Sequence, residues 1–286
     1  MRAIGTLHAL INRLERVEAL DRLAGPLAGV VGRVVRPRPV RNLLSGTYLG
    51  HPLHPMLTDL PIGAWTMATL LDAVGGPDAE PAADRLVAVG ALAAVPTAAS
   101  GLNDWSDTTG PETRLGLLHA AVNLATLGLY LGSLAARLRG SRRWGIRLGR
   151  LGLGTMLVAS YLGGHLTLVR GVNVNRTAWE QGPEEWTPVL DDEQLAEGQH
   201  RKVKADGAVL LLHRYRGAVH ALANTCSHMG GPLDEGTFDD GCVICPWHGS
   251  TFRLADGSVV RGPASSPQPR YETRVRDGRI EVRAAG

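Results

Sequence analysis

Two short stretches dominate the C-terminal third of this chain, CSHMGGPL at residues 226–233 and CPWHGSTF at residues 245–252. Each holds one Cys and one His, separated by one residue in the first stretch and by two in the second. Glycine and proline flank both pairs, which is typical of tight loops. Thiolate sulfur and imidazole nitrogen are both ligands of transition metals. The sequence therefore predicts a metal centre held between two loops by Cys226, His228, Cys245 and His248.

A single zinc ion is the first alternative for this ligand set. Zinc accepts two Cys and two His, but its usual spacing pairs Cys with Cys and His with His. In this chain each Cys is paired with a His, so zinc is disfavoured. A chance cluster of buried Cys and surface His is weaker still, because it leaves the surrounding Gly and Pro without a purpose.

The whole stretch resembles the Rieske ferredoxin family, in which two Cys hold one iron of a 2Fe-2S cluster and two His hold the other. Pro232-Leu233 after the first pair, and Pro246 and Gly249 around the second His, match the family pattern. The resemblance implies a small antiparallel β-sandwich over about residues 187–284. Turns at 216–217, 255–257 and 276–278 fit such a strand-rich region.

The resemblance also implies a class of cluster. High-potential members of the family carry a disulfide between the two loops, and Gly231 and Trp247 occupy those positions here. Ser250 matches the serine that donates to a bridging sulfur, whereas Phe252 replaces a tyrosine that donates to a cysteine sulfur. We therefore expect a ferredoxin-like midpoint potential, below about +200 mV, in the lower part of the Rieske range.

The N-terminal half has a different composition. Apart from His, three segments lack charged side chains, and a fourth, 57–74, carries only Asp59 and Asp72. Each is about long enough to cross a bilayer core of roughly 30 Å. We predict an α+β multidomain protein in which a four-helix transmembrane bundle precedes the small all-β Rieske domain. The predicted spans are 57–75, 85–103, 115–136 and 148–169.

A second resemblance covers about residues 45–172. His51-Pro52-Leu53-His54-Pro55, followed by Pro61-Ile62-Gly63, resembles the opening of an uncharacterised four-helix membrane family with no agreed activity. Together the two resemblances divide the chain into an N-terminal segment, a membrane domain, a linker and a Rieske domain. The predicted boundaries are 1–44, 45–172, 173–186 and 187–286.

The N-terminal segment is basic, and its apolar residues recur every three or four positions from Ile4 to Leu20. This pattern predicts an amphipathic helix that ends at Gly25-Pro26. The helix could lie on a membrane surface or pack on a partner protein, and the sequence favours the two equally. The net charge of +3 comes mostly from Arg near the apolar segments, so we expect contact with a lipid bilayer and none with nucleic acid.

Four histidines near the predicted spans are candidates for a membrane ligand site: His51, His54, His119 and His165. In the predicted topology all four lie at similar depth, on the side from which the Rieske domain emerges. Ionisable groups at such positions are functional candidates. They could bind haem b, a quinone or another redox ligand. Alternatively, they serve as helix caps and as hydrogen-bonding residues inside the bundle.

Several functions fit these features. The first is a membrane-anchored carrier of single electrons between a membrane donor, such as a quinol or haem, and an unidentified acceptor. A Rieske oxygenase is disfavoured, because its mononuclear iron needs two His and a carboxylate, and no His follows His248. A ferredoxin component of an oxygenase system and a redox or iron-sulfur sensor are the alternatives. An electron carrier is favoured over a stand-alone enzyme.

Location and docking can also be predicted. No export signal is visible, and the third cysteine, Cys242, has no cysteine left for an internal disulfide. We expect a multi-pass cell-membrane protein with both termini and the Rieske domain cytoplasmic. Four acidic residues between the ligand pairs predict either a docking face for a basic partner or an ordinary solvated loop. They are Asp234, Glu235, Asp239 and Asp240.

Overall fold

The computed structural model describes residues 2–285, with side chains from residue 9 onward. It contains two compact units. The helical unit comprises Met1–Arg36 and Leu53–Val172, and the β unit comprises Pro37–Pro52 and Asn173–Gly286. The prediction of a helical N-terminal part followed by an all-β C-terminal part is confirmed. The predicted boundary at residue 44 falls within Pro37–Pro52, which the structure groups with the β unit.

The described residues form seven α-helices, of which α3 belongs to the β unit. Three helical segments are long and apolar enough to cross a membrane: Pro77–Trp105, Pro111–Leu138 and Arg142–Val169. Helix α4 is shorter, with 22 residues, and is not among them; it carries Asp59 and Asp72. The helices are α1 (Arg2–Glu15), α2 (Asp21–Val34), α3 (Arg38–Ser45), α4 (Leu53–Val74), α5 (Glu80–Trp105), α6 (Pro111–Leu138) and α7 (Arg142–Gly164).

Two stacked aromatic rings form the centre of the helical unit. Trp65 of α4 lies on Tyr130 of α6, with ring centroids 4.1 Å apart and planes 7° apart. A Cβ on Gly90 would lie 2.4 Å from the Trp65 ring, and one on Gly152 would lie 2.8 Å from the Tyr130 ring. Glycines that admit a neighbouring helix's side chain bring the helices close together. The small residues of the apolar segments therefore serve packing at these two positions.

Buried ion pairs join the ends of the four long helices. The Arg137 guanidinium, with 1% of its side chain exposed, binds Asp72 and lies 2.7 Å from an oxygen of Asp84. Arg142 contacts the same two carboxylates at 2.8 and 2.9 Å. Asp72, which interrupts the first apolar segment, is thus compensated by two cations. A buried charge with such partners costs far less than an isolated one.

Helix α1 packs on the helical unit itself. Ile11 is 2% exposed and forms an apolar cluster with Leu115 of α6 and Leu162 of α7. Glu15 binds Arg170, and the Nε2 atom of His165 lies 3.2 Å from its carboxylate. The sequence left a membrane surface and a partner protein as alternatives for this helix, whereas the structure shows it packed on the helical unit of its own chain. The side chains of Ile4 and Leu7, the start of the predicted stripe, lie outside the described residues.

The predicted end of this helix at Gly25-Pro26 is wrong. α1 ends at Glu15, and α2 begins at Asp21 and continues to Val34. Pro26 therefore lies in the second turn of a new helix, where its missing N–H removes one backbone hydrogen bond without ending the helix. The break between the two helices falls instead at the 3₁₀ turn Glu18–Leu20.

The β unit contains two antiparallel sheets. The first has the strand order β1-β10-β9-β4-β3-β2, and the second has the order β5-β6-β7-β8. The turns predicted at 216–217 and at Asp277-Gly278 join β3 to β4 and β9 to β10. The strands are β1 (Thr187–Asp191), β2 (His200–Ala205), β3 (Ala208–Tyr215), β4 (Ala218–Ala223), β5 (Thr237–Asp239), β6 (Cys242–Ile244), β7 (Thr251–Arg253), β8 (Val259–Arg261), β9 (Arg270–Arg276) and β10 (Arg279–Ala284).

Candidate metal centre

Two loops of the β unit carry the predicted ligands, and both loops have the same backbone hydrogen bonds. The loop with Cys226 follows β4, and the loop with Cys245 joins β6 to β7. In each, a glycine four residues after the cysteine donates its N–H to the cysteine carbonyl, at 2.9 Å for Gly230 and 3.0 Å for Gly249. Both glycines have positive φ, 84° and 73°, a conformation that favours glycine. Each cysteine N–H donates to the carbonyl five residues further on, at 2.8 Å.

The two cysteines meet inside the protein. Cys226 is 1% and Cys245 is 3% exposed. A hydrogen bond from Cys226 lowers the pKa of Cys245 to about 7, and the backbone N–H groups of Trp247 and His248 add to this effect against burial. The same bond with Cys245, together with burial, raises the pKa of Cys226. Only one thiol of the pair ionises readily by itself, whereas a metal bound to both would favour two thiolates.

The two histidines also meet. The rings of His228 and His248 have centroids 5.1 Å apart and are nearly perpendicular, at 89°. Two imidazoles on one metal, with metal–nitrogen bonds of about 2.1 Å, have centroids roughly 5 Å apart, so this geometry fits a shared metal. His228 is buried, whereas His248 is half-exposed. Burial first, then the charges of His248, Arg41 and Arg176, lower the pKa of His228 to about 3. The neutral form is the one that binds a metal.

A third loop, between β8 and β9, holds the two ligand loops in place. Gln268 is 2% exposed; its amide donates to the carbonyls of Ala223 and Thr225, at 2.8 and 2.5 Å, and accepts from the N–H of Ser227 at 3.0 Å. Ser227 in turn donates its hydroxyl to Ser266 at 2.9 Å. Sequence reasoning missed Gln268. The only signal was an uncharged glutamine between two prolines, which does not by itself indicate burial.

The residues predicted around the ligands lie beside them. A Cβ on Gly231 would be 2.8 Å from the Cys245 sulfur and 3.0 Å from the Trp247 ring. Positions 231 and 247 are therefore neighbours in space, as the comparison with disulfide-containing relatives implied. Ser250 is buried, and its hydroxyl accepts a hydrogen bond from the Ala264 N–H at 2.9 Å. Phe252 is buried in the apolar core under the loops.

Comparison with known proteins identifies this region. A family model of the Rieske [2Fe-2S] domain matches residues 185–272. Ferredoxin CarAc of Metapseudomonas resinovorans is 31% identical over 98 residues, which are 34% of this chain and 92% of that protein. The chain belongs to the Rieske [2Fe-2S] domain family. The Rieske domain implies one 2Fe-2S cluster.

Other matches are more partial. Apoptosis-inducing factor 3 of Mus musculus is 32% identical over 91 residues, so the chain spans 15% of that protein's length. The solved ferredoxin of carbazole 1,9a-dioxygenase from Nocardioides aromaticivorans IC177 is 27% identical, with a TM-score of 0.34, over 35% of this chain and 98% of that one. A model described as predicted membrane protein (DUF2231) matches residues 50–176. The chain therefore joins a predicted membrane domain to a Rieske domain.

The candidate histidines of the membrane domain form hydrogen bonds with other protein groups. His119 donates from Nδ1 to the Ala159 carbonyl at 2.9 Å and accepts from the Asn123 amide at Nε2, at 3.0 Å. His54 contacts the Thr97 carbonyl through Nδ1 at 3.0 Å. His165 is the histidine bound to Glu15, described above. Both ring nitrogens of His119 are thus already engaged, and the comparisons give haem and quinone no support.

His51 differs from the other three histidines, because it lies in the β unit. It is exposed, and its Nδ1 atom is 3.1 Å from the Pro52 carbonyl.

Two of the four acidic residues between the ligand pairs already lie near cations of the same chain, so they are less available to a basic partner than the sequence suggested. Lys202 of β2 lies 2.7 Å from Asp234, and Arg216 lies 3.7 Å from Asp240. Lys202 lies in β2 and Arg216 in the turn between β3 and β4, so the sequence of residues 226–252 alone could not reveal these contacts. Among the described side chains of residues 9–285, no group of three or more His, Cys, Asp or Glu is placed to hold one metal ion.

Proposed function

We propose that this chain is a membrane-anchored Rieske iron-sulfur protein that carries single electrons between a membrane redox donor and a separate acceptor. The observation that carries the proposal is the meeting of a buried Cys pair and a perpendicular His pair on two matching loops. Cys226 and Cys245 would hold one iron, and His228 and His248 the other. When bound, the 2Fe-2S cluster supplies one reversible electron-accepting site, with a potential raised by its two neutral ligands.

The protein's own residues would bind, orient and shield the site. The two glycine turns fix the cysteine backbones, and Gln268 fixes the first ligand loop through three hydrogen bonds. Ser250 accepts a hydrogen bond from the Ala264 N–H, so its own hydroxyl proton would be available to donate to sulfur of a bound cluster. The ligands are buried except for His248. Electrons would therefore enter and leave on the side of His248 and the exposed Trp247.

Spectroscopy and a redox titration of the detergent-purified chain test this function. We expect a reduced-state EPR signal of the Rieske type, uptake of one electron per chain, and a midpoint potential below about +200 mV. The potential follows from the absence of a disulfide at Gly231 and Trp247 and of a hydroxyl at Phe252. A chain that contains zinc and no iron would sink the proposal, and a higher potential would sink the ferredoxin-like assignment.

Four membrane crossings remain part of the proposal. Pro52 and Asn173 line the same small cavity of the β unit, so the chain leaves this unit and returns to it at one place. A domain on one side of a membrane requires an even number of crossings between these residues. This supports α4 as a fourth span beside the three apolar segments, because buried Asp72 is compensated by Arg137 and Arg142. We place both termini in the cytoplasm.

Reporter fusions test the topology. A green fluorescent protein fused after residue 286 is expected to fluoresce, and alkaline phosphatase at the same position is expected to be inactive, because the C-terminus is cytoplasmic. Phosphatase fused between α4 and α5 is expected to be active. Activity of the C-terminal phosphatase fusion, or recovery of the chain in the alkaline-washed soluble fraction, would contradict the proposed arrangement.

A narrower candidate is the ferredoxin of an oxygenase system. It is favoured by relatives named Ferredoxin CarAc and anthranilate 1,2-dioxygenase ferredoxin subunit, of which the chain covers 92% and 91%. Under this candidate, the reduced protein would pass its electron to a terminal oxygenase. The test mixes the reduced chain with purified carbazole 1,9a-dioxygenase oxygenase and follows cluster reoxidation by stopped flow. No oxidation beyond that of a buffer control would count against the candidate.

A further inference from the structure

A segment from before the first membrane helix is built into the Rieske domain. Asn42 of α3 accepts a hydrogen bond from the Gly262 N–H at 2.9 Å, and its amide donates to the Val260 carbonyl at 3.2 Å. Thr47 donates to the Ala264 carbonyl at 3.2 Å. Asn42 is only 3% exposed. Helix α3 is therefore packed on the loop between β8 and β9 and held there by hydrogen bonds.

Helix α3 also lies near His228, the buried histidine of the site. Ser45 of α3 and His228 line one small cavity, together with Pro263 and Ser265 of the third loop. Arg41 lies one turn before Ser45, on the same buried face of α3, and is only 4% exposed. An arginine buried to this degree is unusual on a short surface helix. Arg41 therefore lies on the face of α3 that, through Ser45, shares a cavity with His228.

A second arginine lies along the first ligand loop. The N–H of Arg176 donates to the Ser227 carbonyl at 3.0 Å. The stem of its side chain passes Gly230, whose Cβ position would be 3.9 Å from the Arg176 Cγ atom. The Arg176 side chain is exposed, so water screens its charge more than that of buried Arg41. Two cations that are far apart in the sequence therefore lie beside the loop that carries His228.

Reduction of the proposed centre adds one negative charge between these ligands. A nearby cation stabilises the more negative state, and it acts more strongly where water is excluded. We propose that Arg41 and Arg176 are positioning residues that raise the midpoint potential of the cluster through their charge. The inference rests on the proposed cluster site. In this proposal, α3 shields the side of the cluster site that carries His228, and His248 is left as the exposed ligand.

The test is an EPR-monitored redox titration of the full chain in detergent, with four variants. Arg41→Gln is expected to lower the midpoint potential by the equivalent of about a tenfold change in the reduction equilibrium, which is 59 mV for one electron. Arg176→Gln is expected to lower it by less. Arg41→Lys keeps the charge and is expected to retain most of the wild-type potential. Arg276→Gln is the matched control, since Arg276 is exposed at the β9–β10 turn, and no shift is expected.

The outcomes separate charge from packing and from the function itself. An unchanged potential in Arg41→Gln, with the cluster signal intact, would overturn the inference. Equal shifts in Arg41→Gln and Arg41→Lys would assign Arg41 to packing and would likewise overturn it. If Arg41→Gln fails to assemble a cluster, the midpoint potential of Arg176→Gln becomes the test. An unchanged potential in that variant would overturn the proposal. Absence of a cluster from the wild-type chain would instead refute the proposed function.

Discussion

The histidines of the helical unit and those of the Rieske loops differ in the groups that surround their ring nitrogens. His119 uses one nitrogen to donate to a backbone carbonyl and the other to accept from Asn123. His228 and His248 face each other edge to face beside two buried cysteines. A histidine within an apolar helix is readily satisfied by neighbouring backbone and amide groups. A histidine two or three residues from a cysteine in a glycine turn is instead the one that we propose as a metal ligand.

Removing one histidine from each set tests this contrast most directly. We expect His248→Ala to abolish the Rieske EPR signal, because an iron with one of its two histidines removed is not retained. His119→Ala is expected to keep one cluster per chain. Iron analysis and EPR of both purified variants provide the measurement. Loss of the cluster in a folded His119→Ala protein would break the comparison.

The buried arginine of the helical unit should matter for stability and not for the cluster. Arg137→Met leaves Asp72 buried without its main partner, and removal of one member of a buried pair costs about 3–5 kcal/mol. We expect chemical unfolding of the helical unit in detergent to show this loss, while the EPR signal persists under native conditions.

The control for Arg137→Met is Arg216→Gln, whose partner Asp240 is 3.7 Å away and largely exposed. An exposed pair contributes roughly 0–1 kcal/mol. Equal destabilisation by the two substitutions would show that the buried ion pair of Arg137 contributes no more to the free energy of unfolding than an exposed pair.

A single added methyl group tests the contact between the two ligand loops. Gly231→Ala would place a Cβ 2.8 Å from the Cys245 sulfur, so the loops must move apart. We expect lower iron occupancy, by roughly a factor of two, and a broadened EPR signal. Such overpacking commonly costs about 1–3 kcal/mol. Gly128→Ala is the matched control, since its Cβ would meet no neighbour within 4 Å, and full occupancy there is expected.

The smallest expected effect is a pH dependence at Glu15. Burial raises the pKa of Glu15, but the hydrogen bond and charge of Arg170, with His165, outweigh it and hold the pKa below 4.5. A carboxyl group with a lowered folded-state pKa stabilises the protein above its unfolded pKa, and this contribution is lost as pH falls through the folded value. The melting temperature of the wild type should exceed that of Glu15→Gln at pH 7, and the gap should narrow below pH 4.5. A constant gap would contradict the assignment.

Much of this architecture could be predicted from local pattern. The Cys and His spacing predicted the two ligand loops, and the dipeptide Asp277-Gly278 predicted a hairpin turn. In the structure both residues of that turn have positive φ. These features depend on a few adjacent residues. The four apolar segments predicted four long helices for the same reason, since their lengths exceed those of ordinary surface helices.

What could not be predicted depends on contacts between distant residues. Asn42 and Gly262 are hydrogen-bonded across 220 positions, and no local pattern indicates that a helix before the apolar segments completes a β domain. Gln268 binds a loop some 40 positions earlier. Similarly, Glu15 is buried against Arg170, which lies 155 positions further along the chain.

The division of the β unit between residues 37–52 and 173–286 affects how the domain is made and studied. The ribosome synthesises α3 well before its binding partner, the loop between β8 and β9, because helices α4 to α7 are made in between. A recombinant fragment that starts at residue 173 would lack Asn42, Thr47 and Arg41. It would expose the backbone at Val260 and Ala264 to water. Such a fragment would be a poor substitute for the full chain in electrochemistry.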